Sequence, residues 1–198
     1  MRKTPFTVAA LLTLAALLVP AALAARVSVR VEGRTQSIYG ALETRFEAGE
    51  NVLQALDAAS LRGEFYYHLA QSSFGTYVDQ IGRYPAGGSS GWVFKVNGAS
   101  PPVGADKVVL RDGDRVLWYY ATFGAAGGPP TLLLSRTRGN CYRVVAEDDE
   151  GADKVATGAV LAVDGRRVRT RGGRACVGRH SGVVRATLTG AVRSNALR

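Results

Sequence analysis

The stretch Gly124-Ala-Ala-Gly-Gly-Pro-Pro130 constrains this chain more than any other feature. Glycine gives up the most backbone freedom on ordering, and proline lacks an N–H to donate, so such a run cannot extend a helix or a strand. It reads as a linker over residues 123–130 between a unit at 26–122 and a second at 131–198. Each unit must then bury its own apolar residues. Charge divides at the same place. Residues 26–125 hold ten basic and ten acidic side chains, whereas residues 126–198 hold thirteen basic against six acidic. Two units with differently charged surfaces follow from that asymmetry.

The first residues are set aside from fold reasoning. Arg2 and Lys3 precede an apolar run from Val8 to Leu18, and Pro20 and Ala22-Leu23-Ala24 follow. That order of features matches a secretory signal peptide over residues 1–24, with cleavage after Ala24 or Ala25. The run is far short of the ~20 apolar residues needed for a membrane span. The expected location is therefore secreted or extracytoplasmic, in the cell envelope, with no span in the mature chain. Cys141 and Cys176 are the only cysteines. In an oxidising compartment this isolated pair favours a disulfide over a reactive thiol using His180 as base. Closing that loop stabilises the fold by about 4 kcal/mol in the chain-entropy model.

The first unit opens with Val27, Val29 and Val31 alternating with polar neighbours, the period of a half-buried strand. Ser37–Glu43 follows as its hairpin partner. Asn51 and Gln54 form a capping box ahead of one helix, whose face carries Val52, Leu53, Leu56 and Ala59. Short strands are expected at Phe65–Ala70, Tyr77–Ile81, Trp92–Val96, Val108–Arg111 and Val116–Ala121, with turns at Asn97-Gly98 and Asp112-Gly113. The second unit reads as strands alone: Leu132–Ser135, Cys141–Glu147, Ala159–Val163, Arg167–Thr170, Arg174–Val177 and Val183–Leu188. The fold class is α+β followed by all-β.

Gly91-Trp-Val-Phe-Lys-Val-Asn-Gly98, Gly104 and Leu110-Arg-Asp-Gly-Asp-Arg-Val-Leu-Trp-Tyr-Tyr120 carry a resemblance, with Asn51–Leu56 and Phe74–Ile81. Over residues 27–121 the chain resembles the transcobalamin C-terminal-like domain of bacterial surface proteins. The resemblance implies a β-grasp-like sheet with one helix. In the vitamin carriers this module closes over cobalamin held on a separate helical barrel, so a corrinoid ligand would require a helical partner here. Trp92 and Tyr77 stand at aromatic positions of the motif. Val144–Gly151, Thr157–Val163, Gly173–Cys176, Val184–Ala186 and Arg193-Ser194 are similar to bacterial immunoglobulin-like or carboxypeptidase regulatory-like modules, which serve as spacers or adhesion units. They imply a small β-sandwich.

The chemistry expected is binding, with no catalysis, no cofactor and no metal. His68 and His180 are the only histidines, one per unit, and a metal site needs several converging donors. Asp112-Gly-Asp114 and Asp148–Gly151 lack the spacing of a calcium loop and read as turns. No nucleophile elbow, phosphate loop or zinc-protease motif occurs. Trp92, Phe94, Trp118 and Tyr120 are expected in the core, whereas Tyr77, Tyr84 and Tyr119 are expected at the surface. Tyr77, Tyr84, Trp92 and Asn97, beside the Gly87–Gly91 loop, are the candidate ligand-binding residues. Arg166, Arg167, Arg169, Arg171 and Arg174 form a candidate site for polyanions, with Arg167, Arg169 and Arg171 on one strand face. The alternative is a solvated, edge-guarding face. The partners implied are a cell-envelope polymer or surface protein, with a small molecule such as a corrinoid as the second possibility. Nucleic acid does not suit an exported protein.

Overall fold

The computed structural model describes residues 25–73, 75–125 and 127–198. The expected leader, residues 1–24, and Phe74 lie outside the described residues. The chain enters through β1 (Arg26–Glu32), returns by β2 (Ser37–Tyr39) and β3 (Arg45–Glu47), and forms α1 (Val52–Gly63). A ribbon of β4 (Tyr67–Ser72), β5 (Gly75–Ile81) and β6 (Tyr84–Pro85) precedes β7 (Ser90–Val96) and β8 (Arg115–Thr122). β1 pairs antiparallel with β2 and β3 on one edge and parallel with β8 on the other, and β7 completes the sheet. A parallel pair of first and last strands with one helix across the sheet is the β-grasp arrangement expected.

Local chemistry sets the helix ends. Gln54 N–H donates to Asn51 Oδ1 at 2.9 Å, and Gln54 Oε1 accepts from Glu50 N–H at 2.6 Å, so two free donors are satisfied reciprocally. Val52, Ala55, Leu56 and Ala59 are buried against Val27, Val29, Val31, Val116 and Trp118. Val108–Arg111 does not form the expected strand. Val52 and Leu53 N–H donate to Val108 and Ala105 carbonyls, and Leu110 N–H donates to Glu50 O. The segment's hydrogen bonds are thus spent on the helix entry, with only a Val109–Asn51 bridge to show for its strand-like sequence.

The second unit comprises β9 (Thr131–Arg136), β10 (Cys141–Glu147), β11 (Asp153–Val155), β12 (Val160–Val163), β13 (Arg166–Arg169), β14 (Arg174–Cys176), β15 (Val184–Thr187) and β16 (Ala196–Leu197). β9, β10, β11 and β14 make one antiparallel sheet, and β13-β12-β15-β16 makes the other. Leu132, Leu134, Tyr142 and Val144 of the first meet Leu161, Val163, Val184 and Ala186 of the second in one core. This is the small β-sandwich expected. Cys141 and Cys176 lie opposite each other on β10 and β14 and are joined as a disulfide.

The central sheet of the first unit is covered on both faces. Val27, Val29 and Val31 face α1, but Ser28, Arg30 and Glu32 are equally buried on the other side. On β8, Leu117, Tyr119 and Ala121 form a second apolar cluster with Val93 of β7 and Val192 of the sandwich. Tyr119, expected at the surface, is 2 % exposed. The alternation placed it on the correct face, and the sandwich covers that face. Burial, with the Asp149 carboxylate adding to it, pushes its phenol well above the usual tyrosine range.

Buried charge flanks this seam at two places. The Glu32 carboxylate, fully enclosed, accepts from Arg185 Nη2, from Arg193 Nε at 3.1 Å and from Ser37 Oγ at 3.0 Å. Arg30 donates through Nη1 to the Arg193 carbonyl at 2.7 Å, and its Nε lies 3.1 Å from Glu43 Oε1. Lys95 Nζ, 1 % exposed, donates to the Glu147 and Asp148 carbonyls at 3.0 and 2.6 Å and to Thr131 Oγ1 at 3.3 Å. Burial holds the Lys95 ammonium below its ordinary pKa, and the nearby Asp149, Glu147 and Asp148 oppose that shift. Beside it, Asn97 and Gly98 turn with φ of 53° and 95°. A Cβ at Gly98 would come within 2.6 Å of Glu147 Oε1, so the turn glycine also lets the two units approach.

Two measurements check these interactions. Glu32→Ala strands Arg30, Arg185 and Arg193 without their shared carboxylate, and should lower unfolding free energy by about 3–5 kcal/mol in denaturant titrations. Tyr67 Oη donates to Asp57 Oδ1 at 3.0 Å, and burial followed by this bond pushes its pKa from 10.0 up to about 12. The folded value exceeds the unfolded one, so the contribution is complete below pH 10 and is lost as pH rises through 12. Tyr67→Phe should therefore cost about 1 kcal/mol at neutral pH, and that cost should shrink steadily above pH 10.

Candidate ligand cleft

The ribbon creates the main concavity of the first unit. Val78 and Ile81 are buried and fasten β5 to the core, but β4 and the distal half of β5 are largely exposed. A register shift between His68 and Leu69 breaks the regular pairing of the ribbon. On the facing side, the loop carrying Pro101-Pro102-Val103-Gly104 is held by the hydrogen bond from Leu53 N–H to Ala105 O. Between them lies a cleft of about 90 Å³. Trp92 and Phe94 of β7 and Trp118 of β8 contribute from the sheet, with Leu69, Tyr77 and Val78 from the ribbon and Leu53 and Ala105 opposite.

A broader groove of about 820 Å³ continues outward from this cleft. The two share Thr76, Tyr77 and Gly104, and the groove adds Pro101, Pro102, Val103 and Lys107. Tyr77 is 48 % exposed and Val103 is 50 % exposed, so apolar surface stands open to solvent along it. The polar side chains of the inner cleft are few. Asp106 is one, and its carboxylate faces Lys107 Nζ at 3.0 Å. Thr76 is another, and its hydroxyl accepts from Gln71 Nε2 at 2.8 Å. Trp118 also lines the cleft, and its buried Nε1 has no hydrogen-bond partner among the described residues. Trp92 differs, because its Nε1 donates to the Tyr84 carbonyl at 2.8 Å.

Of the four expected ligand-binding residues, the structure brings Tyr77 and Trp92 to this cleft. Tyr84 lies elsewhere, with its ring against Tyr120 at 6.0 Å and its hydroxyl 2.9 Å from Thr35 Oγ1. Hydrogen bonds from Thr35 and Arg83 lower the pKa of that phenol. Asn97 is a turn residue: its amide donates to Asp114 Oδ1 at 2.8 Å and its Oδ1 accepts from Arg115 N–H at 3.0 Å. The Gly87–Gly91 loop closes on itself through Gly87 and Ser90 and lines neither part of the cleft. Leu69, Ala105 and the Pro101–Val103 loop were missed by sequence reasoning. A Pro pair followed by an apolar residue outside any strand pattern was the available signal.

The five arginines are dispersed. Val168 packs into the sandwich core, so Arg167 and Arg169 project from the outer face of one sheet. Arg174 sits opposite Arg143 on the outer face of the other sheet. Arg171 does not share the strand face of Arg167 and Arg169, as the spacing suggested. The strand ends at Arg169, and Arg171 instead bridges Arg174 across the Gly172-Gly173 turn. Arg166 spends Nη2 on the Arg179 carbonyl at 3.1 Å. Among the described residues no group of three His, Cys, Asp or Glu side chains is placed to hold a metal ion, and no helix is long and apolar enough to cross a membrane.

Residues 49–122 match the model of a family described as a domain of unknown function, DUF4430. That span contains α1, the ribbon, β7 and β8, and hence every residue of the cleft. No curated protein matches the chain.

Proposed function

We propose that this chain is an exported, non-catalytic binding protein whose ligand docks in the groove between the β4–β5 ribbon and the Pro101–Lys107 loop. One observation carries the reading: an apolar cleft walled by Trp118, whose buried indole N–H has no partner among the described residues, opens directly into a groove edged by exposed Tyr77 and Val103. Few convergent polar groups on an otherwise apolar concavity are the usual make-up of a ligand site. The transcobalamin C-terminal-like resemblance of the same segment supports ligand capture. The inner cleft, at about 90 Å³, admits only a small group. A corrinoid would therefore rest across the outer groove and need a second surface, supplied by a separate helical partner. The sandwich serves in this reading as the fixed base that holds the module outward.

The dye 8-anilinonaphthalene-1-sulfonate tests the groove directly. The protein should bind it saturably at one site, Tyr77→Ala should weaken binding about tenfold, and Tyr84→Ala should leave it unchanged. Binding unaffected by Tyr77→Ala would remove the groove from consideration.

A second reading rests on Arg143 and Arg174, brought side by side on the sandwich with Arg171 at the adjoining turn. These exposed guanidinium groups suit a phosphate- or carboxylate-rich envelope polymer. Retention on isolated cell walls should then fall sharply between low salt and ~1 M salt, where screening shortens to ~3 Å. Retention that survives high salt would exclude this surface.

A further inference from the structure

We infer that the inner cleft takes a small apolar group bearing a hydrogen-bond acceptor, and that Trp118 Nε1 is the donor that reads it. The inference deepens the groove reading and rests on it. Two tryptophans, Trp92 and Trp118, sit on neighbouring strands and face the same core. An indole N–H can only donate, and a buried donor left without an acceptor costs free energy. Trp92 meets that requirement within the protein, through the Tyr84 carbonyl. Trp118 does not: it is 2 % exposed, belongs to the cleft wall, and its Nε1 has no partner among the described residues. Phe94 packs against its ring with centroids 5.1 Å apart, and two acceptors of the lining are engaged elsewhere, the Asp106 carboxylate with Lys107 Nζ and the Thr76 hydroxyl with Gln71 Nε2.

The rest of the lining defines the ligand class. A volume of about 90 Å³ limits the inserted part to a single small ring or a branched alkyl group. Leucine, valine and aromatic side chains around it select apolar carbon. Among the described residues no Lys or Arg lines the inner cleft to neutralise a carboxylate or phosphate, and Asp106 on the wall is already matched to Lys107 at 3.0 Å, so an anionic acceptor finds no counter-charge there. A neutral carbonyl or ether oxygen on a compact apolar group meets all of these conditions. The remainder of such a ligand would pass under Tyr77 into the outer groove, towards Val103 and Lys107.

Two tryptophans give two indole N–H resonances in a ¹⁵N-labelled sample, so each reports separately. Cyclopentanone and methylenecyclopentane serve as matched probes that differ in the acceptor oxygen. Cyclopentanone should move the Trp118 resonance downfield saturably and leave that of Trp92 in place. Methylenecyclopentane should bind about tenfold more weakly, since a hydrogen bond of roughly 1.4 kcal/mol is a factor of ten. Trp118→Phe assigns the resonance and should reduce cyclopentanone affinity to that of the hydrocarbon. Equal affinity for both probes, with equal displacement of Trp118, would overturn acceptor recognition. Failure of both probes to move Trp118 would overturn it as well. If the anilinonaphthalene dye still binds in a Tyr77-dependent way, that failure belongs to the acceptor inference alone and the groove reading stands.

Discussion

The enclosure of Glu32 holds this architecture together. A carboxylate withdrawn from water is costly unless opposite charge and hydrogen bonds surround it, and here that surround comes from both units. Arg30 and Ser37 belong to the β-grasp-like unit, Arg185 and Arg193 to the sandwich. Neither unit could bury Glu32 by itself. The same logic applies to Lys95, whose three acceptors all lie beyond the linker on Thr131, Glu147 and Asp148. The apolar cluster of Leu117, Tyr119 and Ala121, against which Val192 of the sandwich packs, joins the same seam. Non-directional burial brings the units together, and the charged groups select one register for them.

Where the cleft can lie follows from that union. The sandwich occupies one face of the central sheet and α1 occupies most of the other. Only the ribbon, which leaves the helix at Tyr67 and returns to the core at Val78 and Ile81, stands partly free of both. The cleft forms where the ribbon diverges from the loop that pins the helix entry. Its walls therefore belong to an exposed but anchored hairpin on one side and a proline-stiffened loop on the other. Its floor is made of large aromatic side chains from two strands rigidly paired over seven residue positions. A rigid floor with an exposed rim is a common way of presenting a binding surface.

Much of the fold was readable from local pattern. The capping box at Asn51 and Gln54, the Asn97-Gly98 turn and the period of Val27, Val29 and Val31 each depend on near neighbours, and each occurs in the structure. The short strands β3, β11 and β16 escaped notice because two or three residues cannot establish a period. Val108–Arg111 had strand composition, yet its carbonyl and N–H groups were needed at the start of α1. The site was less legible than the fold. Of the candidate residues, Tyr77 and Trp92 line the cleft, whereas Tyr84 and Asn97 are held by Thr35 and Asp114.

By itself, the sequence determined which residues alternate, where α1 begins, where turns fall and which two cysteines can pair. Those properties are set by interactions spanning a few residues, or by the absence of any rival partner. Tertiary structure alone decided that Ser28, Arg30 and Glu32 would be buried as deeply as the valines between them. It also decided that Tyr119 would be covered, that the arginines would be split between two sheets, and that Trp118 Nε1 would be left without an acceptor among the described residues. A period of two assigns a side chain to a face of the sheet. What packs on that face depends on residues from 36 to 163 positions away, which no local pattern encodes.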